Sequence, residues 1–165
     1  MEMGSETLSR IARIIQSSED SNNIPPQFDS KYFHSHLIRG LLRTHRVERG
    51  RLSSLLSVKP PVMNIYGILH GGAVVSVAEI MSIACARTVV GEDKELFLGE
   101  LICFPTAFPF EIGTFLSQAE LTVDASVIRS GRSLTVIAVE FKVKDTGKLV
   151  YTSHATFYNT PVASL

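Results

Sequence analysis

The chain has 165 residues, 45% of them hydrophobic and 19% charged, which is the composition of one globular domain with a sizeable core rather than of a disordered segment. Lys plus Arg number 16, as do Asp plus Glu; a net charge of zero offers no basic stripe for a nucleic-acid backbone, so an anionic ligand has to be held by a few local cations. Cys85 and Cys103 are too few for a disulfide framework or a metal cage and fit a reducing compartment.

Met1 to Ser17 carries Glu2 and Glu6 and no apolar h-region, so it does not read as a secretory signal. Ser5 is placed to cap a first helix, in which Leu8, Ile11, Ala12 and Ile15 repeat at helical spacing to about Gln16. A Ser, Asn, Asp and Pro-rich linker, Ser17 to Pro26, follows, and Ser30 precedes a second amphipathic helix with Phe33, Leu37 and Leu41. Residues 1–41 are therefore expected to form a helical extension and linker, and 42–165 the main domain. From Leu42 the period becomes that of strands: Thr44 to Val47 and Arg51 to Val58, joined by an Arg49-Gly50 turn and stopped by Pro60 and Pro61.

Ile68 to Val90 is apolar enough and long enough to span a bilayer, but it contains His70, Glu79 and Arg87. A central carboxylate costs about 2.5–3.5 kcal/mol in a membrane helix, so the stretch predicts a helix buried in protein, roughly Gly72 to Val89, closed by Gly91-Glu92-Asp93. Strands are expected at Leu96 to Ile102, Phe115 to Ile128, Leu134 to Lys144 and Leu149 to Tyr158, with turns at Ser130-Gly131 and Asp145-Thr146-Gly147. This is an α+β layout, an antiparallel sheet wrapped around one central helix. Ala73, Ser76, Ala78, Ser82, Ala84 and Ala86 let a sheet approach closely, and a helix apolar nearly all round is expected to be enclosed.

On that helix Ser76, Glu79 and Ser82 fall within about 60° of one another on either side of Glu79, a narrow polar stripe. Glu79 is either a structural carboxylate, paired with Arg87 or a backbone amide, or a catalytic one. His70-Gly71-Gly72 stands where a turn enters the helix, where unpaired N–H groups and the positive end of the dipole gather and an oxyanion can bind; the same Gly-Gly also serves as a plain tight entry. For His70 the structural role, fixing loop geometry by hydrogen bonds, outweighs the chemical one. Asn64, on the far side of a Tyr66-Gly67 turn, can reach the same corner with its amide.

Pro61 to Asn64, Leu69-His70-Gly71-Gly72-Ala73 and Glu79, in that spacing, resemble the signature of hot-dog-fold thioesterases of the phenylacetate-pathway and 4-hydroxybenzoyl-CoA type, plant members included. Gly99-Glu100-Leu101, Arg129-Ser130-Gly131-Arg132, Val139-Glu140-Phe141 and Thr146 to Val150 extend the likeness from about Leu42 to Thr160. The resemblance implies an acyl-CoA thioesterase acting without cofactor or metal. Glu79 takes the place of the acid, as nucleophile or as general base on water. Gly71 takes that of the N–H that polarises the thioester carbonyl, and Asn64 that of the amide that positions water or substrate. Gly72, Ser82 and the turn Arg129-Ser130-Gly131-Arg132 are the candidates for binding substrate, the turn by way of CoA phosphates. A homodimer or homotetramer with active sites shared between subunits is implied as well, with neither nucleic acid nor membrane insertion.

Two departures from the family pattern stand out. Phe97 and Gly99 occupy the region where relatives place a Ser or Thr, and Pro105 and Pro109 predict that Ile102 to Gly113 leaves the strand as an excursion across the pocket mouth. That segment motivates the alternative of a catalytically weakened acyl-CoA-binding or interaction protein. A hydratase would need a different Asp and His pattern, and a serine hydrolase a Gly-x-Ser-x-Gly elbow that is absent. Ala163-Ser164-Leu165 resembles a peroxisomal C-terminal address except at Ser164, so cytoplasm and peroxisome are both expected.

Overall fold

The computed structural model describes residues 31–106 and 120–162. The first predicted helix, the start of the predicted strand at Phe115 and residues 107–113 of the proline-bounded segment lie outside them. One compact unit begins at Leu37. In it the end of helix α1 (Phe33–Leu41) contributes Ile38 and Leu41 to the core.

Strands β1 (Leu42–Glu48) and β2 (Arg51–Ser57) precede the long helix α2 (Gly71–Arg87). Strands β3 (Lys94–Pro105), β4 (Glu120–Ser130), β5 (Leu134–Val143) and β6 (Leu149–Pro161) follow it. All six join one antiparallel sheet in the order β1-β2-β4-β5-β6-β3. The strands flanking α2 in sequence, β2 and β3, therefore lie towards opposite sides of the sheet, and the helix must cross its inner face. It packs mainly on β4 and β5.

The alternation that predicts the strands is the alternation that builds the core. In β5 the side chains of Thr135, Ile137, Val139, Phe141 and Val143 are buried beneath the helix, while their neighbours Val136, Ala138, Glu140 and Lys142 are only half-buried. Phe141 and Phe157 are fully buried, each worth about 1.5–3 kcal/mol relative to exposure. The helix meets this surface with Ala73, Val74, Val77, Ala78, Met81, Ser82, Cys85 and Ala86, four of them alanine or serine. Among the described residues, no helix is long and apolar enough to cross a membrane.

Two expectations require correction. The helix is not enclosed in this chain: the sheet covers one side, and Val75, Glu79, Ile83 and Arg87 are exposed on the other. Nor does the third strand stop at Ile102. It pairs with β6 as far as Pro105 opposite Tyr151, and the Thr106 N–H still donates to the Val150 carbonyl. The prolines mislead because β3 is an edge strand, not a central one. Amides alternate in direction along a strand, so with Thr106 N–H directed at β6, the N–H that Pro105 lacks would have faced the open edge. The strand bulges at Leu98/Glu100. There Gly99 makes room for the exposed Tyr158 ring, which a Cβ would force to shift.

Candidate functional site

The corner before α2 is assembled by a short loop. Met63 and Leu69 form an isolated bridge, the Asn64 N–H donates to the Ile68 carbonyl at 2.8 Å, and Gly67 turns the chain at φ +73°. Asn64 Oδ1 accepts from the N–H groups of Tyr66 at 3.0 Å and Ile68 at 3.3 Å, so its carbonyl holds the turn and its Nδ2 makes no hydrogen bond among the described residues. The tip, Ile65 and Tyr66, is 93% and 80% exposed, an apolar pair held next to the helix start. The His70 N–H then donates to the Val62 carbonyl, which fixes the entry angle of α2.

His70 is the N-cap. It sits in extended conformation (φ −66°, ψ 133°), and its Nδ1 accepts from Gly72 N–H at 2.9 Å. A cap of this kind needs the neutral ring with the proton on Nε2. Gly72 has a local reason to be glycine, because a Cβ there would lie 3.1 Å from His70 Nδ1 and crowd the cap. The His70 carbonyl accepts from Ala73 and Val74. The N–H of Gly71 is what remains: it meets no acceptor among the described residues, and the space beside its Cα is open. Of the orphan amides that every helix start presents, this corner leaves one exposed donor, on the positive end of a 17-residue helix.

From that donor an exposed ridge runs along α2 at four-residue spacing, Gly71, Val75, Glu79, Ile83 and Arg87. The Glu79 carboxylate is exposed and unpaired among the described residues, and Arg87, its expected structural partner, instead donates to the carbonyls of Lys94 at 2.6 Å and Gly91 at 3.4 Å. Ser76 is half-buried and donates to the Gly72 carbonyl. The predicted polar stripe therefore divides. Ser82 turns towards the sheet, is fully buried, and its hydroxyl finds no partner among the described residues. The remaining candidates, Arg129, Ser130, Gly131 and Arg132, form the exposed β4–β5 hairpin, linked to the C-terminal end of α2 through Lys94, whose Nζ donates to the Arg132 carbonyl at 2.9 Å. Asn64, His70, Gly71 and Gly72 thus share one corner, Glu79 lies two turns along the same face, and Ser82 lies apart from them.

No protein-family model matches the sequence, and no curated protein matches it. Solved structures do match. One of zebrafish thioesterase superfamily member 2 has a TM-score of 0.68 at 16% identity, covering 95% of this chain and 99% of that one. A thioesterase from Haemophilus influenzae has a TM-score of 0.67 at 16% identity over 99% and 95% of the two chains. A hypothetical thioesterase from Streptococcus pneumoniae, solved with coenzyme A, has a TM-score of 0.65 at 15% identity over 81% of this chain and all of that one. The chain has the hot-dog fold. Identities this low carry the fold and not the residues, so the roles of Asn64, Gly71 and Glu79 have to rest on this chain's own chemistry.

Sequence pattern does not single out Lys94 or Asn159, both of which hold the Arg129 to Arg132 hairpin. For Asn159 a signal exists: it continues the inward register of Ala155 and Phe157 on β6, where an amide side chain is out of place unless something pairs with it.

Proposed function

We propose that the protein hydrolyses acyl-CoA thioesters to a free acid and CoA, with Glu79 as the catalytic carboxylate and the Gly71 N–H as the donor to the thioester oxygen. The observation that carries this reading is the selective capping of the helix start. His70 takes the Gly72 amide, leaving the Gly71 amide in open space on the ridge that also bears the unpaired Glu79. A preorganised donor of that kind stabilises the charge that develops as the thioester carbonyl becomes tetrahedral. The carboxylate supplies what the donor cannot, either direct attack on the carbonyl or removal of a proton from water. The thioesterases of the same fold, and the one solved with coenzyme A, support the substrate class.

Gly71 and Glu79 are eight residues apart, about 12 Å along the helix axis at 1.5 Å per residue. One thioester carbonyl cannot meet both groups of one copy. Two copies with α2 antiparallel, crossing near Val75, would set Gly71 of each opposite Glu79 of the other, and the open edge of β3 offers a strand for a second copy to pair with. The dimer is therefore part of the proposal, and it would cover the exposed Val75 and Ile83. The proposed location is the cytoplasm or the peroxisome, to be distinguished by microscopy of the protein carrying an N-terminal fluorescent tag.

The second reading is a catalytically weakened acyl-CoA-binding or interaction protein; of the segment that motivates it, Ile102 to Pro105 continues the strand and residues 107–113 lie outside the described residues. The deciding experiment is release of free CoA from a panel of aryl, medium-chain and long-chain acyl-CoAs, wild type against Glu79→Gln. Saturable release that the variant abolishes is the expected result; tight binding of acyl-CoA without release overturns the hydrolytic reading.

A further inference from the structure

Strand β1 is not regular. It pairs with β2 as far as Thr44 opposite Ser54 and again from Arg46 opposite Ser53, so His45 is an extra residue, a β-bulge. In an unbroken strand His45 and Arg46 would point to opposite faces of the sheet. Here both line one hollow of about 380 Å³, together with Arg51, Ser53, Asp124 and Ser126. The pairings Arg46–Ser53–Asp124 and Arg51–Ser126 set these residues in two adjacent rows across β1, β2 and β4. Leu52 and Ala125, which alternate with them, are buried in the core, so the hollow lies on the outer face of the sheet, away from α2.

The charges within it are unevenly matched. Arg46 is paired with Glu48 at 2.8 Å. Arg51 is exposed and has no hydrogen bond or ion pair among the described residues, and the same holds for the His45 ring and the Ser126 hydroxyl. Asp124 Oδ1 accepts from Ser53 Oγ at 2.5 Å, but Oδ2 has only Lys142 Nζ at 3.7 Å, too far for a good hydrogen bond. Lys142 makes its short contact, 2.6 Å, with Glu140 instead. Arg51 and Asp124 occupy diagonal positions on β2 and β4, about 7–8 Å apart, and do not pair with each other.

The hollow therefore holds a free cation and an incompletely matched carboxylate side by side. A simple anion drawn to Arg51 would meet Asp124, and a simple cation drawn to Asp124 would meet Arg51. A molecule with a carboxylate and an ammonium group satisfies both, and the planar guanidinium fork suits the carboxylate end. We propose that this hollow is a second binding site, for a free α-amino acid. Arg51 takes the carboxylate in a two-pronged hydrogen bond, Asp124 takes the ammonium, and His45 and Ser126 border the remaining space. The site shares no residue with the α2 corner and is independent of the thioesterase reading.

The test is calorimetric titration of the full chain with two matched pairs, L-alanine against L-lactate and L-phenylalanine against L-phenyllactate. Within each pair the carboxylate and size are kept, and a hydroxyl replaces the ammonium. At least one amino acid should bind with a Kd below about 10 mM and at least tenfold more tightly than its hydroxy acid. Arg51→Gln should weaken that binding tenfold or more, through loss of the charged fork. Asp124→Asn should bring the two members of the pair to within about twofold, since the amide no longer distinguishes an ammonium from a hydroxyl by charge. Circular dichroism establishes that the variants fold; Arg51 is on the surface, so Arg51→Gln decides even if Asp124→Asn does not fold. Absence of amino-acid binding below about 10 mM, equal affinity for both members of each pair in the wild type, or unchanged affinity in folded Arg51→Gln overturns the proposal. So does displacement of the amino acid by adenosine 3′,5′-bisphosphate, which would make the hollow part of a CoA site.

Discussion

His70 Nδ1 accepts the Gly72 N–H at 2.9 Å, and that single bond determines which amide of the α2 start stays available to a ligand. Replacing His70 by alanine removes the cap and should cost about 0.5–2 kcal/mol of stability, measured by denaturant unfolding. It should also lower kcat, because a second unsatisfied amide competes for the carbonyl and the turn loosens. Asn at the same position, a strong N-cap, should restore most of the stability. If alanine lowered neither stability nor turnover, the cap would be incidental.

Glu79→Gln should leave a folded protein whose hydrolysis is nearly abolished, since an amide neither attacks a thioester nor takes a proton from water. Glu79 is exposed, so circular dichroism and the unfolding midpoint should barely move. Glu79→Asp retracts the carboxylate by one methylene and should retain activity reduced on the order of a hundredfold. Wild-type turnover in either folded variant removes Glu79 from the chemistry.

The fold was legible because each strand repeats at period two over a face that is buried, as Ile137, Val139 and Phe141 do, and because α2 is the one long apolar helical segment. Two features were not. Hydrophobicity on all sides predicts that α2 is enclosed, but it does not say what covers a face. Val75 and Ile83 are as apolar as Val74 and Val77, yet only the latter pair meets the sheet. Likewise, Pro105 argues against a strand only if that strand is central, and the edge position of β3 follows from the crossover of α2, which no local pattern contains. At the site, the Asn64, Gly71 and Glu79 spacing was readable in sequence. Angular nearness groups Ser82 with Glu79, although Ser82 falls on the sheet side of the helix, where its hydroxyl is buried.

The two thiols should differ in reactivity. Cys85 is fully buried on the sheet side of α2, and burial pushes its pKa from 9.0 up to about 11; Cys103 is half-buried on β3, with its pKa raised first by burial. Iodoacetamide at pH 8 should therefore modify Cys103 before Cys85, and Cys85 only when denaturant is added, as read by mass spectrometry of the peptides. The sign for stability follows from the folded pKa lying above the unfolded one. Cys85 leaves stability intact below pH 9 and erodes it as pH rises from about 9 towards 11, because the unfolded chain ionises first. Cys85→Ala should flatten that alkaline decline.

The most discriminating substitution is Gly71→Pro. Gly71 is the first helical residue of α2, a position that proline tolerates because no intrahelical bond is lost there, and His70 before it already has the extended conformation that a following proline requires. The space beside Gly71 is open to a Cβ among the described residues. The change thus deletes the free N–H and little else. Stability should hold or rise slightly, since proline also restricts the unfolded chain. If the Gly71 amide binds the developing oxyanion, kcat should fall on the order of 10²–10³-fold with the helix intact. Gly71→Ala keeps the N–H and adds only a methyl group, so it separates loss of the donor from crowding of the approach. Proline and alanine variants with equal losses would point to crowding, and a proline variant as active as wild type would remove the amide from the mechanism.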